Sequence, residues 1–353
     1  MSVAHYYVRR DELVRDASSL HSYFGREGKG VLEKGAYMEV SVPRRFFYSS
    51  FIALFSKPAG DIVCPHFWEF KPLIGCPFNC SYCYLNGTFF GNKAPKMKNL
   101  ADASRILDQF LGWADSQGLR VLLNAGELTD SLAMPDWTRA LIEAVLPVLE
   151  CHPNHKILLL TKGGVRHVAP LLEDKGLNEF FIIAFSVNPP RVSQLYEKGA
   201  APPNERLEAS KLLQGKGFTF RIRLDPIIPI DGWRIDYAVL IKMMLKEYGL
   251  KPERITIGSL RGLTKTLRFI KDREWLKYLD KSEKTGWGLK LNTELRIEIY
   301  THIIKKLREN GYEKHIALCK ETSDMWQKLV SKGLLNPPGT SGVWELVSCN
   351  CIL

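Results

Sequence analysis

A chain of 353 residues, 45% hydrophobic and 25% charged, has room for one large core with an appendage or for two domains, and its balance excludes a disordered or fibrous protein. No stretch reaches the roughly eighteen apolar residues of a membrane span. The start, Met1 to Asp11, lacks the apolar centre of a signal peptide, so a cytoplasmic protein with no membrane partner is expected.

The net charge of +11 makes a polyanionic partner, a nucleic acid above all, an expectation, because basic surfaces attract phosphate backbones. The positives are scattered, however, over Arg44-Arg45, Lys96 and Lys98, Arg221 and Arg223, Lys265 to Arg273 and Lys305-Lys306, with no basic tail. Residues 1–65 form an N-terminal extension. Asp11 to Phe24 carries a weak helical pattern, Gly25 to Gly35 resembles a loop, and Val40 to Phe55 supplies one or two strands.

From residue 66 to 320 the chain alternates short apolar strands with amphipathic helices. Strands are predicted at Phe67–Leu73, Leu119–Asn124, Lys156–Thr161, Phe180–Val187, Thr219–Leu224, Arg254–Ile257 and His315–Leu318. Helices fall between them at Ala101–Ser116, Pro135–Leu149, Val165–Lys175, Asn204–Lys216, Ile235–Tyr248 and Asn292–Asn310. Such alternation argues for an α/β fold, a full or partial (β/α) barrel with right-handed crossovers, whose functional groups gather at the carboxyl ends of the strands. Residues 321–353 form a C-terminal region with a cysteine-rich tail, and Trp344 and Leu346 could dock it over the barrel.

The first predicted strand runs into Cys76-Pro-Phe-Asn-Cys80-Ser-Tyr-Cys83-Tyr-Leu, a C-x3-C-x2-C spacing. Three thiolates this close suit one iron–sulfur cluster, and three protein ligands for four irons leave one iron open to a substrate or cofactor. A structural zinc site is the alternative, but zinc favours four closed ligands in C-x2-C pairs, and no matching pair follows nearby. After the second strand comes Asn124 to Ser131, in which Gly126 lets backbone approach a ligand and Glu127 can pair with an ammonium group; Asp130 reads instead as a helix N-cap. The third strand ends at Thr161-Lys162-Gly163-Gly164, the fourth at Ser186-Val187-Asn188-Pro189, and the fifth at Asp225 to Trp233 with Arg223 one step inside. Turn chemistry alone would also explain polar residues at these places.

The cysteine loop with Tyr82 resembles the signature of radical S-adenosylmethionine (SAM) enzymes, and Gly126-Glu127 resembles their Gly-Gly-Glu element with Ala125 in place of the first glycine. The segments Gly75 to Leu85, Leu160 to Lys162, Phe185 to Asn188, Asp225 to Pro229 and Gly232-Trp233 are similar to the spore photoproduct lyase family, over about residues 66–275. The resemblance implies a [4Fe–4S] cluster on Cys76, Cys80 and Cys83, with SAM on the fourth iron. It also implies reductive cleavage of SAM to a 5′-deoxyadenosyl radical that abstracts hydrogen from a substrate, and an electron donor such as a flavodoxin or ferredoxin. Tyr82, Lys162 and Ser186 match family positions, as does Tyr84; Gly126, Glu127, Asn188 and Arg223 complete the expected cofactor pocket.

One departure stands out. The family's lyase uses a cysteine just after its second core strand to return hydrogen to the repaired thymine, and Asn124 to Asp130 contains no thiol. The reading is thus a DNA repair or modification enzyme that need not be a thymine-dimer lyase, with a radical SAM enzyme on a peptide or small metabolite as one alternative and a non-catalytic iron–sulfur or zinc module as another. Cys319, Cys349 and Cys351 are candidates for a second iron–sulfur cluster or a hydrogen-donor thiol, whereas Cys64 and Cys151 read as bystanders.

Overall fold

The computed structural model describes residues 3–9, 37–46, 49–55, 61–336 and 348–353. The expected helix at Asp11 to Phe24, the loop at Gly25 to Gly35 and the docking residues Trp344 and Leu346 lie outside the described residues.

Eight strands form the central sheet: β1 (Ile52–Phe55), β2 (Phe67–Phe70), β3 (Leu122–Asn124), β4 (Lys156–Thr161), β5 (Phe181–Ser186), β6 (Phe220–Ile227), β7 (Ile255–Ser259) and β8 (Ile316–Leu318). From β2 to β8 each strand lies parallel to the next in chain order, while β1 adds antiparallel to β2. Among the described residues no pair joins β8 back to β1, so the barrel is partial. A short antiparallel pair across the gap, Ile62–Val63 with Glu321–Thr322, ties the segment before β2 to the segment after β8.

The layers follow from the side-chain pattern. All six residues of β5 are buried because it is covered on both faces, as a parallel strand between helices must be. On the convex face Leu123, Ile157, Leu159, Ile183 and Phe185 join the main core with the helices, and on the concave face Leu122, Leu158, Ile182 and Ala184 form a separate cluster.

The helices that cover the convex face are α1 (Leu100–Ser116), α2 (Pro135–Cys151), α3 (Val165–Glu173), α4 (Pro203–Gly215), α5 (Trp233–Lys242) and α6 (Thr293–Glu309). Helix α1 presents Ala103, Leu107, Phe110, Leu111 and Ala114 to the core at helical spacing and starts where the Asn99 side chain accepts a hydrogen bond from Asp102 N. Asn292 caps α6 in the same way through Glu294 N.

The C-terminal segment enters the concave side. Leu353 packs against the Leu122, Leu158, Ile182 and Ala184 cluster, and the Arg221 guanidinium donates to the carbonyls of Asn350 at 2.8 Å and Ile352 at 2.5 Å. Asn350 is buried, exchanges hydrogen bonds with Thr256 at 2.9 and 3.0 Å, and donates to the Ile222 carbonyl at 3.1 Å. The tail thus fills the interior of the barrel.

Candidate active site

The cysteine loop is built by backbone before any side chain acts. Gly75 holds a positive φ of 75°, and a Cβ there would lie 2.3 Å from the Ala94 carbonyl oxygen, so this turn accepts glycine alone. Its N–H donates to Leu128 O at 2.8 Å, joining the loop to the segment after β3. Cys76 N donates to Lys93 O at 2.8 Å, and the buried Lys93 ammonium in turn donates to the carbonyls of Cys76 and Phe78. Asn79–Cys80 pairs antiparallel with Glu197–Lys198, which fixes the middle of the loop.

All three thiols line one cavity of about 640 Å³, together with Tyr82, Tyr84, Gly126, Glu127, Asp130, Lys162, Ser186, Arg223 and Asp225. That volume suits a cofactor-sized ligand. Burial pushes the Cys76 thiol up to about 12 and raises Cys80 and Cys83 as well, so these sulfurs keep their protons unless a cationic group takes the protons' place. Among the described residues no three His, Cys, Asp or Glu side chains close on a single metal ion. Three soft thiols spread around a shared cavity instead fit the broader body of an iron–sulfur cluster.

Beside the thiols stands a buried polar hub that the sequence did not announce. Glu197 accepts hydrogen bonds from Tyr82 OH and from Asn188 Nδ2 at 2.9 Å, meets Arg206 Nη2 at 2.6 Å and lies 3.7 Å from Lys162 Nζ. Burial works against its charge, but the Arg206 and Lys162 cations, with Tyr82 and Asn188, hold its carboxyl at about 2. Lys162 Nζ also donates to Ser186 Oγ, and Ser186 Oγ donates to the Asp225 carbonyl at 3.1 Å. Asp130 is no helix N-cap: it accepts from Thr161 Oγ1 at 2.7 Å and Lys162 N at 2.6 Å, and α2 begins later, at Pro135 after Met134. Asn188 lies behind Glu197, fully buried, where it receives a hydrogen bond from Tyr237 OH at 2.9 Å, and it does not line the cavity.

Across the cavity, Tyr84 OH donates to the Glu127 carbonyl, and the Glu127 carboxylate meets Lys320 Nζ at 3.2 Å. Gly126 is required by packing, since a Cβ would come within 2.3 Å of Leu160 Cβ. Asp225 is gripped by Arg223 at 3.2 Å and Arg261 at 2.9 Å; burial is outweighed by these two cations, which depress its carboxyl strongly. Cys319 lies behind this group and receives hydrogen bonds from Arg223 Nη2 at 3.3 Å and Arg261 Nη2 at 3.7 Å. Cys351 accepts from Asn124 Nδ2 at 3.6 Å. The cavity lining contains none of these three thiols.

The rim holds residues that sequence reasoning missed. Thr264, Lys265 and Thr266 open the short helix Thr264–Phe269, and Gly286 and Trp287 form the turn between Asp280–Thr285 and Gly288–Lys290, with Gly288 also on the cavity lining. The Lys320 ammonium sits 4.4 Å from the centre of the Trp287 ring. The basic residues from Lys265 to Arg273 were visible as charge; nothing marked Trp287 or Lys320.

A partial (β/α) barrel with a three-cysteine loop after its first parallel strand, facing a cavity lined by the other strand ends, defines the radical SAM class. Within it, the sequence profile of the spore photoproduct lyase family matches residues 56–271, and the chain belongs to that family. Spore photoproduct lyase of Clostridium acetobutylicum is 25% identical over 191 residues, 54% of this chain and 55% of that protein. The Geobacillus lyase is 25% identical over 241 residues, 66% of this chain and 67% of that protein. The chain thus matches only about half to two thirds of the length of these curated relatives. A solved spore photoproduct lyase complexed with dinucleoside spore photoproduct superposes with a TM-score of 0.60 at 19% identity, covering 71% of this chain and 76% of that one, which shows a shared fold. A variant of it with bound AdoMet and dinucleoside spore photoproduct gives 0.58 at 19% identity, covering 72% and 76%. Among the described residues no helix is long and apolar enough to cross a membrane.

Proposed function

We propose that this protein is a radical SAM enzyme that acts on a nucleic acid or nucleotide-like substrate. Supporting this is one observation above others: Cys76, Cys80 and Cys83 face the same cavity as Lys162 and Ser186, inside a partial barrel of this family. Cys76, Cys80 and Cys83 would hold a [4Fe–4S] cluster. When bound, the cluster and SAM supply an electron, taken from a flavodoxin or ferredoxin, and a 5′-deoxyadenosyl radical that removes hydrogen from the substrate.

The chain's own residues bind and orient. Lys162, held between Ser186 and Glu197, presents its ammonium to the SAM carboxylate, and Glu197 fixes both Lys162 and Tyr82 in place. Glu127 is the carboxylate available to the SAM amino group, in exchange for Lys320. Trp287 on the rim offers a stacking face to a base, and the exposed Lys265 a cation to its phosphate. Residues Ala125 to Asp130 bring no thiol to the cavity, which supports a reaction other than thymine-dimer repair.

The test is anaerobic incubation of the reconstituted protein with dithionite and SAM. Formation of 5′-deoxyadenosine and methionine is expected, reduced at least about tenfold in Lys162→Ala, which removes a charged contact of about 1.5–3 kcal/mol. Cluster-loaded protein that leaves SAM intact would refute the proposal.

A further inference from the structure

We infer that Cys64, Cys319, Cys349 and Cys351 form a second iron–sulfur site, in the barrel interior beneath the cavity, separate from the three-cysteine loop. The topology gathers these residues from three distant stretches. Cys64 follows Ile62–Val63, whose pairing with Glu321–Thr322 sets it alongside Lys320 and Cys319 at the seam of the barrel. Cys349 and Cys351 arrive on the tail, where Asn350 between them is locked to Thr256 and Ile222 next to Arg223.

The tail and the seam of the barrel converge on Arg223. Arg223 donates to Cys319 sulfur at 3.3 Å, and Thr256, its register partner on β7, bonds Asn350 between the two tail cysteines at 2.9 Å. The Val63–Glu321 register sets Cys64 opposite Lys320, the neighbour of Cys319. Cys319 and Cys349 are buried, as is Asn350. Of the chain's eight cysteines only Cys151 lies outside the loop and this group, exposed at the end of α2.

The surroundings match a thiolate cluster better than four small hydrophobes. Arg223 and Arg261 already donate to Cys319 sulfur, Asn124 donates to Cys351 sulfur, and Lys320 adds a third cation. Donors to sulfur and positive charge are what stabilise an anionic cluster with four thiolate ligands. Apolar cysteines need neither. That among the described residues no three side chains close on one ion holds equally for Cys76, Cys80 and Cys83, and both groups call for a body wider than one ion. Four ligands would also leave no open iron, unlike the loop.

The experiment is iron and acid-labile sulfide per chain after anaerobic reconstitution of the full chain. About eight of each are expected in the wild type, and about four in Cys349→Ser/Cys351→Ser and in Cys76→Ala/Cys80→Ala/Cys83→Ala. Added SAM should shift the electron paramagnetic resonance signal of the tail variant and leave that of the loop variant unchanged. A wild-type count of about four, a zinc ion in place of the second set of irons, or a tail variant that keeps about eight overturns the site. Should the tail variant fail to fold, the wild-type count and the loop variant decide. Failure of the loop assignment looks different: the loop variant then keeps all its iron.

Discussion

Glu197 shows how much of this site rests on a single buried carboxylate. It pairs with Arg206, both side chains being fully buried, and receives hydrogen bonds from Tyr82 and Asn188. Glu197→Gln would leave Arg206 without a counter-charge in the interior and is expected to destabilise the fold by about 3–5 kcal/mol in urea titration. Its carboxyl sits at about 2, below its ordinary 4.5, so its stabilisation is complete above pH 4.5 and is lost as pH falls toward 2. Glu321, held down to about 2 by Lys290 and Arg296 once burial is outweighed, adds to the same acid limb. Urea midpoints measured from pH 6 to pH 2.5 should fall below about pH 4.5, and less steeply in the Gln variant than in the parent; parallel curves would count against the depressed carboxyl. The sequence showed Tyr82 through the cysteine loop and Lys162 and Ser186 through their strand-end places, but Glu197 belongs to no motif. Its role arises only where α4, the strand ends and the loop meet, and for the same reason Asn188 read as a ligand although it supports Glu197 from behind.

At the scale of elements, legibility followed hydrophobic periodicity. Strands such as Lys156–Thr161 and helices such as Thr293–Glu309 carry apolar positions at the spacing of their structure, and their predicted places agree with the fold. The hairpin strand Asp280–Thr285 reads DKSEKT, with no apolar alternation for periodicity to detect, so the turn that places Trp287 on the rim was invisible. Cys64 reads as a bystander in the sequence because the pairing that sets its segment alongside Cys319 is two residues long and joins opposite ends of the barrel. The cysteine loop, by contrast, was legible because its chemistry is local. Its conformation depends on Gly75, where alanine would face both a positive φ and the Ala94 carbonyl. Gly75→Ala is expected to cost at least about 1–2 kcal/mol and to lower iron bound at the loop. Native-like far-ultraviolet circular dichroism with full iron in that variant would show that the turn is not needed.

For the whole molecule the open matter is the substrate, and charge allows it to be tested. A net charge of +11, with Lys265 exposed on the cavity rim, suits a phosphate backbone laid across the mouth. Binding to a short DNA duplex should weaken as salt rises, with log K falling linearly against log salt and a slope of about −3 to −5 if four or five phosphates are contacted. Lys265→Ala should make that slope shallower by about 1 without changing SAM cleavage in the absence of DNA. That separation follows from position: Lys265 stands on the rim helix, whereas Lys162, Ser186 and the thiols lie within the cavity. A protein that cleaves SAM yet binds no duplex at about 50 mM salt would carry its charge for another reason, and the substrate would then be sought among peptides and small metabolites that fit inside the cavity.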